Sequence, residues 1–149
     1  MSSIDEIRLK QDLLDVMKPY QYIGHEYLAD EKNFDESDVR ILFAFPDKYE
    51  VGISNLGVRV LYHVVNKHEG LMADRAYAPE PDFIKVVEET KLPLYGVESK
   101  RPYSDFDIVG FSLQYELCYP TVLKMLELGG ITVKREERGE DEPIAVSYT

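Results

Sequence analysis

The chain has 149 residues, of which 44% are hydrophobic, with 28 acidic against 17 basic side chains and a net charge of −11. That length fits one domain with a core of its own; that charge excludes the clustered Lys and Arg of a nucleic-acid surface and disfavours docking on anionic lipid. No apolar run approaches the ~20 residues of a membrane span, the first residues lack the basic and apolar stretches of a signal peptide, and the single cysteine, Cys118, excludes an intrachain disulfide, all of which fits a cytoplasmic protein.

Ser3 and Glu6 have the spacing of a capping box. Ile4, Ile7, Leu14 and Met17, with Leu13 beside them, recur at roughly helical spacing and predict a helix over about 4–17, outside the main sheet. Lys18-Pro19 ends it, since proline disfavours a helical residue before it. Tyr20 to Asp38 is a long connection that Tyr20, Tyr22, Ile23, Tyr27 and Phe34 should pack down. Residues 1–38 are therefore expected to form a helix and a packed connection, and 39–149 an α/β domain.

Val39–Phe45 is a continuous apolar run, expected as a buried strand. A polar loop follows, then a helix over about 55–68 with Leu56, Val60, Leu61, Val64 and Val65 as its apolar set and Ser54 or Asn55 as its cap. A strand at about 72–77 precedes the break at Pro79-Glu80-Pro81, and Phe83, Ile84, Val86 and Val87 mark a short helix. Lys91 to Gly96 fits either a short edge strand or a loop. Asp107–Leu113 is a second buried strand. Pro120 suits the first turn of a helix that runs to Leu128, where Gly129-Gly130 stops it. Ile131-Thr132-Val133 is expected as a strand, and Pro143 to Val146 as a last apolar piece. Alternating strands and helices imply a mostly parallel, doubly wound α/β sheet, and the length suits a flavodoxin-like five-strand order.

Ligands of such sheets sit outside the carboxyl ends of the strands. The loop after the first strand offers Tyr49, Glu50, Gly52, Ser54, Asn55, Leu56 and Gly57. Its glycines would let a ligand approach the backbone, and the helix start favours an anion; alternatively, they only meet turn geometry. The pattern is neither a P-loop nor a dinucleotide fingerprint. The loop after the second buried strand offers Ser112, Leu113, Gln114 and Tyr115 at the same edge. His25, His63 and His68 are dispersed, and His63 and His68 have the wrong spacing for two ligands on one helix face. Cys118 is expected as a half-buried structural thiol. Asp47 lacks the acidic neighbour of a phosphorylation receiver, and Ser112-Leu113 stands where the acceptor would be.

Three segments in order, Lys18–Tyr27, Phe45–Gly57 and Asp107–Leu117, resemble the N-terminal region of large bacterial radical-SAM proteins, whose N-terminal part is a cobalamin-binding-type domain. The resemblance covers nearly the whole chain from about residue 18. It implies a flavodoxin-like fold with an extra N-terminal helix. It also implies a corrin over the carboxyl edge of the sheet and a nucleotide tail beside the first strand, which are the two loops above. Two departures follow. In the His-on class the first loop reads Asp-x-His-x-x-Gly; aligned on Gly57, this chain has Gly52 for the aspartate and Ser54 for the histidine. Cobalamin would then bind without a histidine ligand, or not at all. Relatives also continue into a Gly-Gly-Pro loop and a barrel with Cys-x-x-x-Cys-x-x-Cys, which holds a four-iron cluster and leaves one iron for S-adenosylmethionine. Residues 144–149 show neither, and one cysteine cannot hold the cluster. The cluster and S-adenosylmethionine are thus expected in a downstream domain, in cis or in trans, and this chain alone is expected not to be catalytic. Two readings stay open: a His-off or degenerate cobalamin-type module serving a radical-SAM catalytic domain, and a cofactor-free interaction module in which Tyr49, Tyr115 and Tyr119 fill the cavity or meet a partner.

Overall fold

Four strands, β1 (Val39–Phe45), β2 (Leu71–Tyr77), β3 (Ile108–Ser112) and β4 (Ile144–Tyr148), form one parallel sheet in the order β2-β1-β3-β4. The computed structural model describes residues 4, 6–27, 29, 30 and 32–148, with the main chain alone for 6–8. The helices are α1 (Glu6–Asp12), α2 (Tyr49–Gly52), α3 (Leu56–Asn66), α4 (Pro81–Thr90) and α5 (Tyr119–Leu128). None is long and apolar enough to cross a membrane among the described residues. The Ser3–Glu6 capping box lies outside those residues.

The central strand explains the architecture. Side chains alternate along a strand, so Leu42 and Ala44 enter one core while Phe43 and Phe45 enter the other. Both faces are apolar, as a parallel strand between helix layers requires. Val58 and Tyr62 of α3 cover the Phe43 face. Phe83, Val86 and Val87 of α4 and Met125 and Leu126 of α5 cover the Leu42 face. The chain leaves β1 toward β2 through α3, then returns past β1 to β3 through α4. Reversing the direction reverses the face when every crossover is right-handed. This is a doubly wound, flavodoxin-like α/β fold.

Expected and observed elements differ at 131–133, at the N-terminal helix and in the first-strand loop, where Tyr49–Gly52 form a helical turn, while the alternatives left open for 91–96 resolve to a loop. Ile131-Thr132-Val133 is not a strand, and the described sheet has four strands, not five. Gly130 takes a left-handed turn at φ 74°, its N–H bonds to the Glu127 carbonyl, and the Ile131 N–H bonds to the Leu126 carbonyl. This is a Schellman ending, whose apolar residue after the turn packs back on the helix; Ile131 and Leu126 are both buried in one cluster. Residues 91–96 form no strand either, only an isolated bridge from Tyr95 to Pro102. The N-terminal helix is shorter than expected and tightens into a 3₁₀ turn over Leu13–Asp15. It buries Leu9, Leu13 and Val16, an i, i+4, i+7 face, and leaves Leu14 and Met17 exposed.

The connection packs down as expected and wraps the β2 side of the sheet. Tyr22 stacks on Phe83 of α4 at 3.8 Å. Farther along, the Asp30 N–H donates to Tyr62 Oη on the opposite face at 2.8 Å, and His63 Nδ1 lies 2.8 Å from Asp30 Oδ2. The outer edge of β2 is closed by residues 96–101. Asp74, fully buried in β2, accepts from the Glu98 N–H (3.0 Å), the Ser99 N–H (2.8 Å) and Ser99 Oγ (2.6 Å), while Val97 N–H bonds to the Arg75 carbonyl. Arg75 is held by Glu26 at 2.7 Å and by Glu98, with its guanidinium over the Tyr62 ring.

Burial, with the Asp74 carboxylate beside it, raises the Glu98 carboxyl well above its ordinary value of 4.5. Arg75 divides its charge between two carboxylates and does not offset this. An acid raised in the folded state keeps its proton where the unfolded chain has lost it. Its stabilising contribution is therefore full below the ordinary value and declines as pH rises toward the folded value. Wild type is expected to lose more stability than Glu98→Gln as pH rises above the ordinary carboxylate range, read as urea midpoints. Equal declines in the two proteins would refute this.

Candidate functional site

The carboxyl ends of β1 and β3 are neighbours, with Ala44 paired to Phe111. From β1 the chain departs to one side, toward β2, while β3 lies on the other. This is the switch point where open α/β sheets leave a crevice. A cavity of about 520 Å³ opens at the carboxyl edge, lined by Asp47 and Lys48 after β1, Glu80 after β2, and Thr121 and Lys124 of α5, with none of the predicted site residues in its lining. Tyr115, half exposed, reaches this edge from the β3 loop, and the Asp47 carboxylate raises its phenol.

The two predicted loops thus share an edge, but their residues fall into three groups. Tyr49 and Glu50 begin α2 and are engaged by the N-terminal connection. The Tyr49 ring meets Tyr77 edge-on at 5.1 Å and Tyr20 at 5.9 Å. Its hydroxyl donates to Glu26 Oε1 at 2.6 Å, and burial together with that bond raises its phenol. Glu50 accepts from Lys18 Nζ and from Gln21 Nε2, and the Lys18 bond lowers its carboxyl. Gly52 is buried: a Cβ there would stand 2.4 Å from the Tyr77 ring and 3.0 Å from Phe45. Its missing side chain makes room for two aromatic rings.

The second group lies at the start of α3. Ser54 Oγ donates to the Glu50 and Val51 carbonyls. Asn55, not Ser54, caps α3, accepting from the Val58 N–H at 3.1 Å. Leu56 and Gly57 are exposed. The third group is the β3 loop, where Ser112 is buried and accepts from Gln114 Nε2 at 2.7 Å, and the Leu113 N–H is tied to the Tyr148 carbonyl. Gln114 and Tyr115 remain open to solvent. Cys118 is buried below this loop.

Residues that the sequence reading did not single out are Lys18, Gln21, Glu26, Lys48, Glu80, Thr121 and Lys124. Lys18, Gln21 and Glu26 reach the edge through contacts 23–32 positions apart, for which no local signal exists. Thr121 was within reach, since Pro120 already marked the helix turn beside it.

This arrangement is an α/β domain with a carboxyl-edge crevice and no protein imidazole beside the first strand. The family described as radical SAM proteins, N-terminal, matches residues 57–147, more than half of the chain, and the chain belongs to that family. No curated protein and no solved structure matches it.

Gly52 and Gly57 separate packing from ligand access. Gly52→Ala drives a methyl into two rings and is expected to lower stability by about 1–3 kcal/mol. At Gly57 the nearest atom to a Cβ is Asn55 Oδ1, at 3.2 Å. There the gain in helix propensity, up to about 1 kcal/mol, opposes a small shift of the cap. Denaturant unfolding of both variants checks the order; a Gly52→Ala as stable as wild type would show that the rings leave room.

Proposed function

We propose that this domain is a non-catalytic, cofactor-free module that serves a radical-SAM catalytic domain. The observation that carries this reading is the filled slot at the end of β1. Phe45 and Tyr77 occupy the space over Gly52, and Tyr49 is fixed by Glu26. A corrinoid tail placed beside the first strand, as in cobalamin-binding domains, does not fit among these rings. Ser54, at the histidine position, spends its hydroxyl on main-chain carbonyls. Membership of the radical-SAM N-terminal family supports association with a catalytic domain. The cluster and S-adenosylmethionine fall to that domain, because a cluster open at one iron needs three thiolates and this chain has one cysteine.

A His-off corrinoid is the competing reading, favoured by the open crevice beside Tyr115. Hydroxocobalamin titration of the chain, followed by visible absorbance and gel filtration, separates the two. No saturable change is expected, and association with the radical-SAM catalytic polypeptide is expected without added corrinoid. Saturable binding that is lost in Gly57→Trp, or an association that requires the corrinoid, would replace the proposal with a cofactor-carrying role.

A further inference from the structure

The two edges of the sheet are treated in opposite ways. Every residue of β2 except Leu71 is buried, and residues 96–101 cover its outer side. No residue of β4 is buried. Parallel strands are normally covered on both faces, and an uncovered edge is a template for pairing.

β4 has a free hydrogen-bonding edge. The Ile144 N–H bonds to the Asp107 carbonyl and the Tyr148 carbonyl accepts from the Leu113 N–H, so these residues turn their main-chain groups toward β3. By alternation, Ala145 and Ser147 turn theirs outward. Among the described residues no strand pairs on that side. A groove of about 520 Å³ runs along it, between β4 and the 135–143 loop. Part of that loop's charge is engaged within it: Arg138 donates to the Thr132 carbonyl, Glu142 accepts from the Thr132 and Gly139 N–H groups, and Lys134 pairs with Glu137, while Arg135 and Glu140 line the groove.

The face beside this edge is also bare. Ile144 and Val146 point to the α3 side, where they are 63% and 44% exposed. Val146 stands beside Gly110 of β3, which adds no side chain, and Ile144 beside Ile108, while Tyr148 at the end of the same face packs on Phe43. α3 lies over β1 and β2, with His63 turned to Asp30 on the β2 side. Its opposite flank, toward β3 and β4, carries Leu61 and Val64, with Val60 next to them, all exposed. A helix with one buried face normally keeps its other flanks polar. Here a second apolar flank faces an uncovered half-sheet.

We propose that the outer edge of β4 and the bare face between β4 and α3 receive a strand–helix unit from the radical-SAM catalytic polypeptide. The strand pairs with Ala145 and Ser147, and an apolar helix face covers Val64, Leu61, Ile144 and Val146. This rests on the accessory role proposed above and names its surface. The open main-chain groups select an extended segment, and the apolar strip beside them selects a helix. Arg135 and Glu140 at the mouth of the groove add a charge of each sign beside the main-chain and apolar contacts. Family membership places a catalytic domain with this module and so supplies the partner.

Hydrogen exchange read by mass spectrometry tests this on the full chain, alone and with the catalytic polypeptide. Exchange in 144–148 is expected to slow about tenfold or more on association. Val64→Asp and Val146→Lys, both at exposed positions, are each expected to weaken association about tenfold or more with an unchanged far-ultraviolet spectrum. Lys85→Ala, exposed on α4 in the opposite layer, is expected not to. Association with unchanged exchange in 144–148 and no effect of either variant overturns this surface and leaves the accessory role standing. Absence of association overturns both. Self-association of the chain that Val146→Lys abolishes makes a second copy the occupant and overturns the proposal.

Discussion

A wholly buried carboxylate, Asp74, decides which edge of this sheet is finished. It sits in the middle of β2, where an unpaired charge would be strongly destabilising. Residues 98 and 99 meet it with two N–H groups and a hydroxyl. Gly96 is required there, because a Cβ would come within 2.2 Å of the carboxylate. The loop that satisfies Asp74 is the loop that hides the β2 edge, and through Glu98, Arg75 and Glu26 the same cluster reaches Tyr49 at the carboxyl end. Edge closure, anchoring of the N-terminal connection and the packing of the first-strand loop are therefore one connected set of polar contacts. β4 has no counterpart to it.

That asymmetry gives the module a direction. Its β2 side and the end of β1 are occupied by its own residues. Its β4 side and the neighbouring flank of α3 present apolar surface and free main-chain groups. The carboxyl-edge crevice, with Asp47 and Thr121 in its lining, is a third region. The fold is one that elsewhere carries ligands at this edge, but here tyrosines and an intramolecular strap take up much of the space a ligand would use. Such a balance is what the proposed cofactor-free reading rests on.

Much of this was legible in the sequence, for physical reasons. β1 needed apolar residues on both faces, and its continuous run marked its bounds, Val39 to Phe45. Ser54-Asn55 and Gly129-Gly130 marked helix ends because capping is local chemistry, and the structure chose Asn55 of the first pair. Ile131 misled because an apolar residue after a glycine stop serves a strand or a Schellman ending equally well. At the N-terminus the periodic pattern offered two faces, and burial selected Leu9, Leu13 and Val16 over Leu14 and Met17. The two loops at the carboxyl edge followed from topology. What Gly52 is for did not, since Tyr77 lies 25 positions away and only the pairing of β1 with β2 brings it close. Lys18 and Gln21 were hidden in the same way.

The N-terminal connection has a consequence for how the molecule assembles. Its anchors are Glu50, Tyr62, Phe83 and Glu80, which belong to both layers of the sandwich and to three different helices or their approaches. None of these partners is in place until β1, β2 and the helices between and after them have docked. Its contacts therefore close over long chain separations, which carry a loop-closure cost. The bond from Tyr49 to Glu26 depends on the same segment, so packing at the end of β1 is complete only with the connection docked.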